Sequence, residues 1–237
     1  MLSIVNFSKT YKGTKKAVDN LNLEVKAGDI YGFIGHNGAG KSTTLKAIAG
    51  VLNFEEGDIL IEGHSIKSDP IVCKQMIAFI PDNPDLYEHL TGFQYLNFIS
   101  DIFGVPYDLR MQLIQKYADI FEINRNLGDI ISSYSHGMKQ KLALISALIH
   151  APKLMIMDEP FVGLDPKAAH SIKEIMKELC QNGCAILFST HVLEVAEKIC
   201  NKIAIIKNGK LIESGDTKDV VKNSNLESVF LELYEHE

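Results

Sequence analysis

Eight consecutive residues, Gly35-His36-Asn37-Gly38-Ala39-Gly40-Lys41-Ser42, restrict the folds open to this chain more than anything else in it. A branched apolar run at residues 30–34 precedes them, and a helical pattern over residues 41–49 follows. Glycines, a lysine and a hydroxyl at this spacing make a phosphate-binding loop. The glycines let the backbone curl so that successive N–H groups face phosphate oxygens. The following helix adds the positive end of its dipole. In such a loop Lys41 reaches the β- and γ-phosphates of a nucleotide, and the Ser42 hydroxyl binds Mg²⁺. The loop by itself does not separate kinases, GTP switches and transport ATPases.

Around the loop, the chain changes character twice. Residues 4–7, 17–25 and 57–63 read as strands, with Gly13, Asn20 and Gly28 as turn residues. From Thr91 to about Ile149 the rhythm is helical: Phe93, Leu96, Phe98, Ile99, Ile102 and Phe103 come first, then Leu113, Ile114, Tyr117, Ala118 and Phe121 recur at three and four. Pro106 and Gly128 break that rhythm, and the region reads as a helical lobe inserted into a sheet domain. Strand and helix then alternate: strands at 154–157, 185–189 and 203–206, helices at 166–179 and 192–199. Asp165 is the expected N-cap of the first of these helices, with Pro166 at its first turn. This alternation implies parallel strands joined by crossover helices.

Two strand ends carry further chemistry. The run Leu154-Met155-Ile156-Met157 ends in Asp158-Glu159. Beside a phosphate loop, Asp158 is placed to hold Mg²⁺, and Glu159 to take a proton from attacking water as general base. Phe188-Ser189-Thr190-His191 closes another apolar strand. Ligands bind at the carboxyl ends of parallel strands, so His191 is expected to reach the γ-phosphate or the attacking water.

The helical lobe contains Tyr134-Ser135-His136-Gly137-Met138-Lys139-Gln140, ahead of a helix read over 141–149 and ahead of the acid pair. In this order the pieces resemble the nucleotide-binding subunits of ABC transporters, over nearly the whole chain. Ser135 and Gly137 match the family's signature loop; His136 and Met138 stand where Gly and Gln are usual, a form similar to that of exporter-type members. The resemblance implies an α/β fold: a P-loop NTPase core with a mixed sheet, an antiparallel β-subdomain and an inserted α-helical subdomain at about residues 88–150. All of it is expected in one domain over residues 1–237.

The resemblance also implies an ATPase using ATP and Mg²⁺. Two such subunits pair head to tail, and they drive an integral membrane permease from the cytoplasmic face. Nucleotide contacts then fall to the whole phosphate loop with Thr43, and to Ser135 and Gly137 of the facing copy. Tyr11 sits where an aromatic stacks on adenine, although alone it reads equally as a strand-end core residue. Gly163-Leu164-Asp165-Pro166 resembles the loop that contacts the partner cassette, with Asp165 as its acid. One position departs from the pattern. Where the family usually has Gln, the segment Phe79-Ile80-Pro81-Asp82-Asn83-Pro84 offers Asp82, with Asn83 as a possible substitute. An Asp accepts from a metal-bound water but donates no amide N–H.

Composition removes other classes. The net charge of −6 speaks against a protein that coats nucleic acid. A membrane span needs roughly 20 apolar residues in a row; the best run, residues 142–149, is shorter and contains Ser146. The first residues lack the pattern of a signal peptide, so the chain is expected to be cytosolic and to meet a membrane through a partner. Cys73, Cys180, Cys184 and Cys200 form no paired metal-ligand pattern and read as reduced thiols. Asn201-Lys202 is followed by Ile203-Ala204, so a guanine-reading Asn-Lys-x-Asp is missing. Family members that act on ribosomes or DNA carry paired cassettes or long coiled-coil inserts, and neither is found here. Leu226, Val229, Phe230 and Leu233 share one helical face, expected to pack on the domain or to form a dimer contact.

Overall fold

In the computed structural model, residues 1–12, 16–222 and 224–235 are described. Gly13, read above as a turn residue, lies outside them. The elements begin with β1 (Leu2–Thr10), β2 (Lys16–Val25), β3 (Ile30–Ile34) and α1 (Lys41–Ile48). Next come β4 (Glu56–Ile61), β5 (His64–Ser65), α2 (Pro70–Met76) and β6 (Ile77–Ile80). Helices α3 (Gly92–Ile102), α4 (Tyr107–Ile120) and α5 (His136–Ile149) follow, with short 3-10 turns between the last two. The chain continues through β7 (Leu154–Asp158), α6 (Pro166–Gln181), β8 (Ala185–Thr190) and α7 (Leu193–Ile199). It goes on with β9 (Lys202–Lys207), β10 (Lys210–Asp216), α8 (Thr217–Val221) and α9 (Leu226–Glu235).

Six strands form one sheet in the order β10-β9-β3-β8-β7-β6. All neighbours from β9 to β6 pair parallel, and β10 joins the edge antiparallel. β3, β7 and β8 are buried at every position. Their sequences run apolar without alternation, as strands covered on both faces do. A second, antiparallel sheet has the order β2-β1-β4-β5. There the alternation expected of a half-solvated strand is plain: Leu21, Leu23 and Val25 face inward, Asn20, Asn22 and Glu24 outward.

Each face of the large sheet has its own core. Phe7, Phe33, Leu45 and Ile59 join both sheets to α1 in one cluster. The other gathers α5 and α6 against the central strands, through Leu144, Ile145, Ile172, Met176 and Phe188. Helix α9 closes onto this second core with Leu226 and Phe230 buried and Val229 and Leu233 half-buried, so its apolar face packs on the fold. The four cysteines are buried thiols. Among the described residues, no helix is long and apolar enough to cross a membrane.

Two helix starts show how local chemistry fixes boundaries. Thr91 and Gln94 form a reciprocal capping box on α3: Gln94 N–H donates to Thr91 Oγ1 (3.2 Å) and Thr91 N–H to Gln94 Oε1 (2.9 Å). α5 begins at His136, not at residue 141, because the Ser135 hydroxyl accepts the Met138 N–H (3.3 Å) and caps it there. Apolar periodicity marks where this helix turns apolar, from Leu142; the cap marks where it begins.

At the end of α5, the His150 ring stacks on Phe103 with centroids 3.8 Å apart. Its Nδ1 is buried without a partner among the described residues. Burial pushes the imidazole pKa down to about 4. The unfolded chain, with a histidine pKa of about 6.5, therefore takes up this proton first. Stability is full above that value and falls as pH drops towards 4, by about 3 kcal/mol at most from this group. Melting temperatures measured between pH 7 and pH 4.5 should fall, and His150→Phe should flatten part of that fall.

Candidate nucleotide-binding site

β3 ends at Ile34 and α1 starts at Lys41, so the phosphate loop spans the carboxyl end of a central strand. Gly35 sits against the neighbouring strand. A Cβ there would lie 2.5 Å from the Ile206 carbonyl oxygen, so the position admits only glycine. Lys41 is folded under the loop, 6% exposed, with Nζ donating to Gly35 O (2.6 Å) and His36 O (3.2 Å). Burial lowers its pKa, and the Glu159 and Asp158 carboxylates oppose that shift.

The acid pair is set by the neighbouring strand. Asp158 and Ser189 occupy one rung of the β7–β8 ladder. Ser189 Oγ donates to Asp158 Oδ1 (2.5 Å) and accepts the Glu159 N–H (3.1 Å), and the Ser189 carbonyl accepts the same N–H at 3.2 Å. Glu159 has φ 50°, a left-handed backbone uncommon outside glycine. The two bonds to Ser189 hold it there, turning the carboxylate out of the strand line. Glu159 Oε1 then lies 2.9 Å from His191 Nδ1. The histidine side chain is 58% exposed and the glutamate 14%.

Asn37, Gly38, Gly40, Lys41, Ser42 and Thr43 line one cleft. Asp82, Asp158 and Glu159 line the same cleft from two other segments. Gly35 and Ala39 are buried behind the loop, and the His36 ring packs on α9. Tyr11 is exposed, its hydroxyl 3.4 Å from Thr43 Oγ1. His191 stands beside the cleft lining, in contact with Glu159. Among the described residues no group of three or more acids, histidines or cysteines makes a metal site unaided. The donors present, the Ser42 hydroxyl and the Asp158 and Asp82 carboxylates, are hard oxygens. That set fits Mg²⁺, which is held by one or two carboxylates together with substrate phosphates.

Ser135, Gly137 and Asp165 lie elsewhere. Gly137, in the first turn of α5, would place a Cβ 2.7 Å from Gly163 O, so only glycine allows this approach. Asp165 caps α6 by accepting the Ala168 N–H (2.9 Å) and pairs with Lys141 at 2.6 Å. Lys141 is the main cause of the lowered Asp165 pKa, and the Ala168 N–H adds to it. The start of α5 and the loop before α6 are thereby joined into one unit outside the cleft.

The family model described as "ABC transporter" matches residues 18–162. The chain belongs to the ABC transporter family. It carries that family's ATP-hydrolysing cassette. An uncharacterized ABC transporter ATP-binding protein, YhcH of Bacillus subtilis (strain 168), is 35% identical over 221 residues, covering 92% of this chain and 71% of that one. The linearmycin resistance ATP-binding protein LnrL of the same organism is 33% identical, covering 93% and 70%. A solved structure described as the ATP binding subunit of an ABC transporter superposes with a TM-score of 0.94 at 33% identity, covering 99% of both chains.

Two residues of this ABC cassette escaped the sequence reading. Ser189 supports both acids, and its only signal was a hydroxyl closing an apolar strand beside His191. Lys141, the partner of Asp165, read only as the first residue of a helix. Loss of one hydrogen bond to a charged group costs about 1.5–3 kcal/mol. Ser189→Ala is therefore expected to lower kcat at least about ten-fold while ATP affinity stays near wild type, measured by steady-state hydrolysis and nucleotide titration.

Proposed function

We propose that this cassette is the motor of an exporter whose membrane-spanning permease is a separate chain, and that it works as a pair closed around ATP at the cytoplasmic face of the membrane. The observation that carries this reading is the separation within one chain of two half-sites. The loop cleft holds Lys41, Ser42, Asp158 and Glu159, while Ser135 and Gly137 lie outside it at the exposed start of α5. A helix N-terminus with a serine cap and a close-approach glycine suits phosphate oxygens. A second cassette, identical or related, brings that half to the cleft. Asp165, tied to Lys141, meets the partner beside it.

In this reading the cassette is one unit over residues 1–237, with the helical subdomain at about 88–150. The amides from Asn37 to Thr43 and the Lys41 ammonium bind the β- and γ-phosphates, with Gly35, His36 and Ala39 shaping the loop, and Tyr11 covers the adenine. Ser42, Asp158 and Asp82 hold Mg²⁺, which neutralises developing charge on the phosphates. Glu159 takes the proton of the attacking water, and His191 orients Glu159 through the 2.9 Å contact. Export is supported by the exporter-like signature and by a relative named for linearmycin resistance.

The test is recovery of the chain from membranes in mild detergent. The expected companion is a polytopic membrane protein whose presence raises ATP turnover. Recovery with ribosomes or DNA, and no such membrane protein, would contradict the proposal and favour a soluble cassette of the same family.

A further inference from the structure

We infer that Tyr234 is a positioning residue for the phosphate loop, its hydroxyl standing in for a sheet hydrogen bond that the loop has given up. This rests on the assignment of the cleft to ATP. β3 and β9 pair in parallel from Tyr31↔Lys202 to Ile34↔Ile205. Continuing that ladder would carry the His36 N–H onto the Ile206 carbonyl. The loop turns away at Gly35 instead. The Tyr234 hydroxyl enters the gap, accepting the His36 N–H (3.3 Å) and donating to Ile206 O (2.6 Å). Both backbone groups keep a partner although the strands have parted.

The hydroxyl is held by rings and by the helix that bears it. Phe230 and Tyr234 stack with centroids 4.3 Å apart, and the His36 ring meets them edge-on at 5.0 and 4.4 Å. Phe230 is buried in the core, which anchors α9. Lys207, one residue beyond Ile206, donates to the Tyr234 carbonyl (3.1 Å) near the end of that helix. The peptide that Tyr234 grips also holds the lysine of the site: Gly35 O and His36 O accept from Lys41 Nζ. Moving His36 moves Lys41. Helix α9 thus sets the position of the phosphate-binding lysine from behind the loop, without touching the cleft.

The experiment separates hydroxyl from ring. Tyr234→Phe keeps the stack on Phe230 and His36 and removes only the bridge. A hydrogen bond of about 0.5–1.5 kcal/mol corresponds to roughly 2–12-fold. ATP affinity, read by competition against a fluorescent ATP analogue, and KM for ATP should weaken by that factor. kcat should change less than about two-fold, and the melting temperature should fall by no more than about 2–4 °C, the shift that one lost hydrogen bond gives in a chain of this size. Lys207→Met, which releases the same end of α9, should weaken ATP in the same direction. Unchanged ATP affinity in both variants, with normal binding by the wild type, overturns the inference and leaves the cleft assignment standing. So does a loss of affinity that comes only with a much larger fall in melting temperature, the mark of a loosened fold. A wild-type chain that binds no ATP overturns both together.

Discussion

Glu159→Gln is expected to cut ATP turnover by at least about 10²-fold, the lower range for loss of a general base. The substitution keeps the side chain's size, and the main-chain bonds from Glu159 N–H to Ser189 are indifferent to it. The left-handed φ of 50° is therefore kept, as is the contact with His191. Only the proton acceptor is lost. ATP should bind as before, since Lys41 and the loop amides are untouched. Steady-state phosphate release and nucleotide titration on the same sample separate the two effects. Turnover near the wild-type rate would remove Glu159 from its role and pass it to another group lining the cleft.

The second large effect concerns binding. Among the described residues lining the cleft, Lys41 is the only cation, set against Asp82, Asp158 and Glu159. Lys41→Met retains the apolar stem in its buried track and deletes the charge. A hydrogen bond between charged groups is worth about 1.5–3 kcal/mol. ATP affinity should thus fall roughly 10–100-fold, with the three carboxylates then unopposed. Because burial lowers the Lys41 pKa, part of this loss should appear in the wild type at alkaline pH, sooner than an exposed lysine would give it. Affinity near wild type in the Met variant would contradict the placement of phosphate over this loop.

Local signals carried much of this into the sequence. The phosphate loop and the acid pair are runs of adjacent residues at strand ends, and chemistry written in adjacent residues can be read directly. The parallel pairing of the large sheet followed from strand–helix alternation, and the cap at Asp165 from residue type, whereas the start of α5 read at residue 141, inside the helix that Ser135 caps. What stayed hidden depends on register between distant segments. Ser189 supports Asp158 because two strands 31 residues apart share a rung. His36 looked like part of the phosphate cradle, yet its ring belongs with Phe230 and Tyr234, the latter 198 residues away. Edge strand β10 left little trace, since its middle, Ile212, Glu213 and Ser214, is exposed and makes no apolar stripe.

The roles proposed for Ser135 and Gly137 depend on ATP being enclosed by two chains rather than one. Light scattering on Glu159→Gln with Mg-ATP measures this most directly, with the same protein in ADP as reference. The predicted result is twice the protomer mass in ATP and a single protomer in ADP, with Ser135→Arg abolishing the doubling. A protein that saturates with ATP yet remains a single protomer at every concentration, permease included, would contradict it.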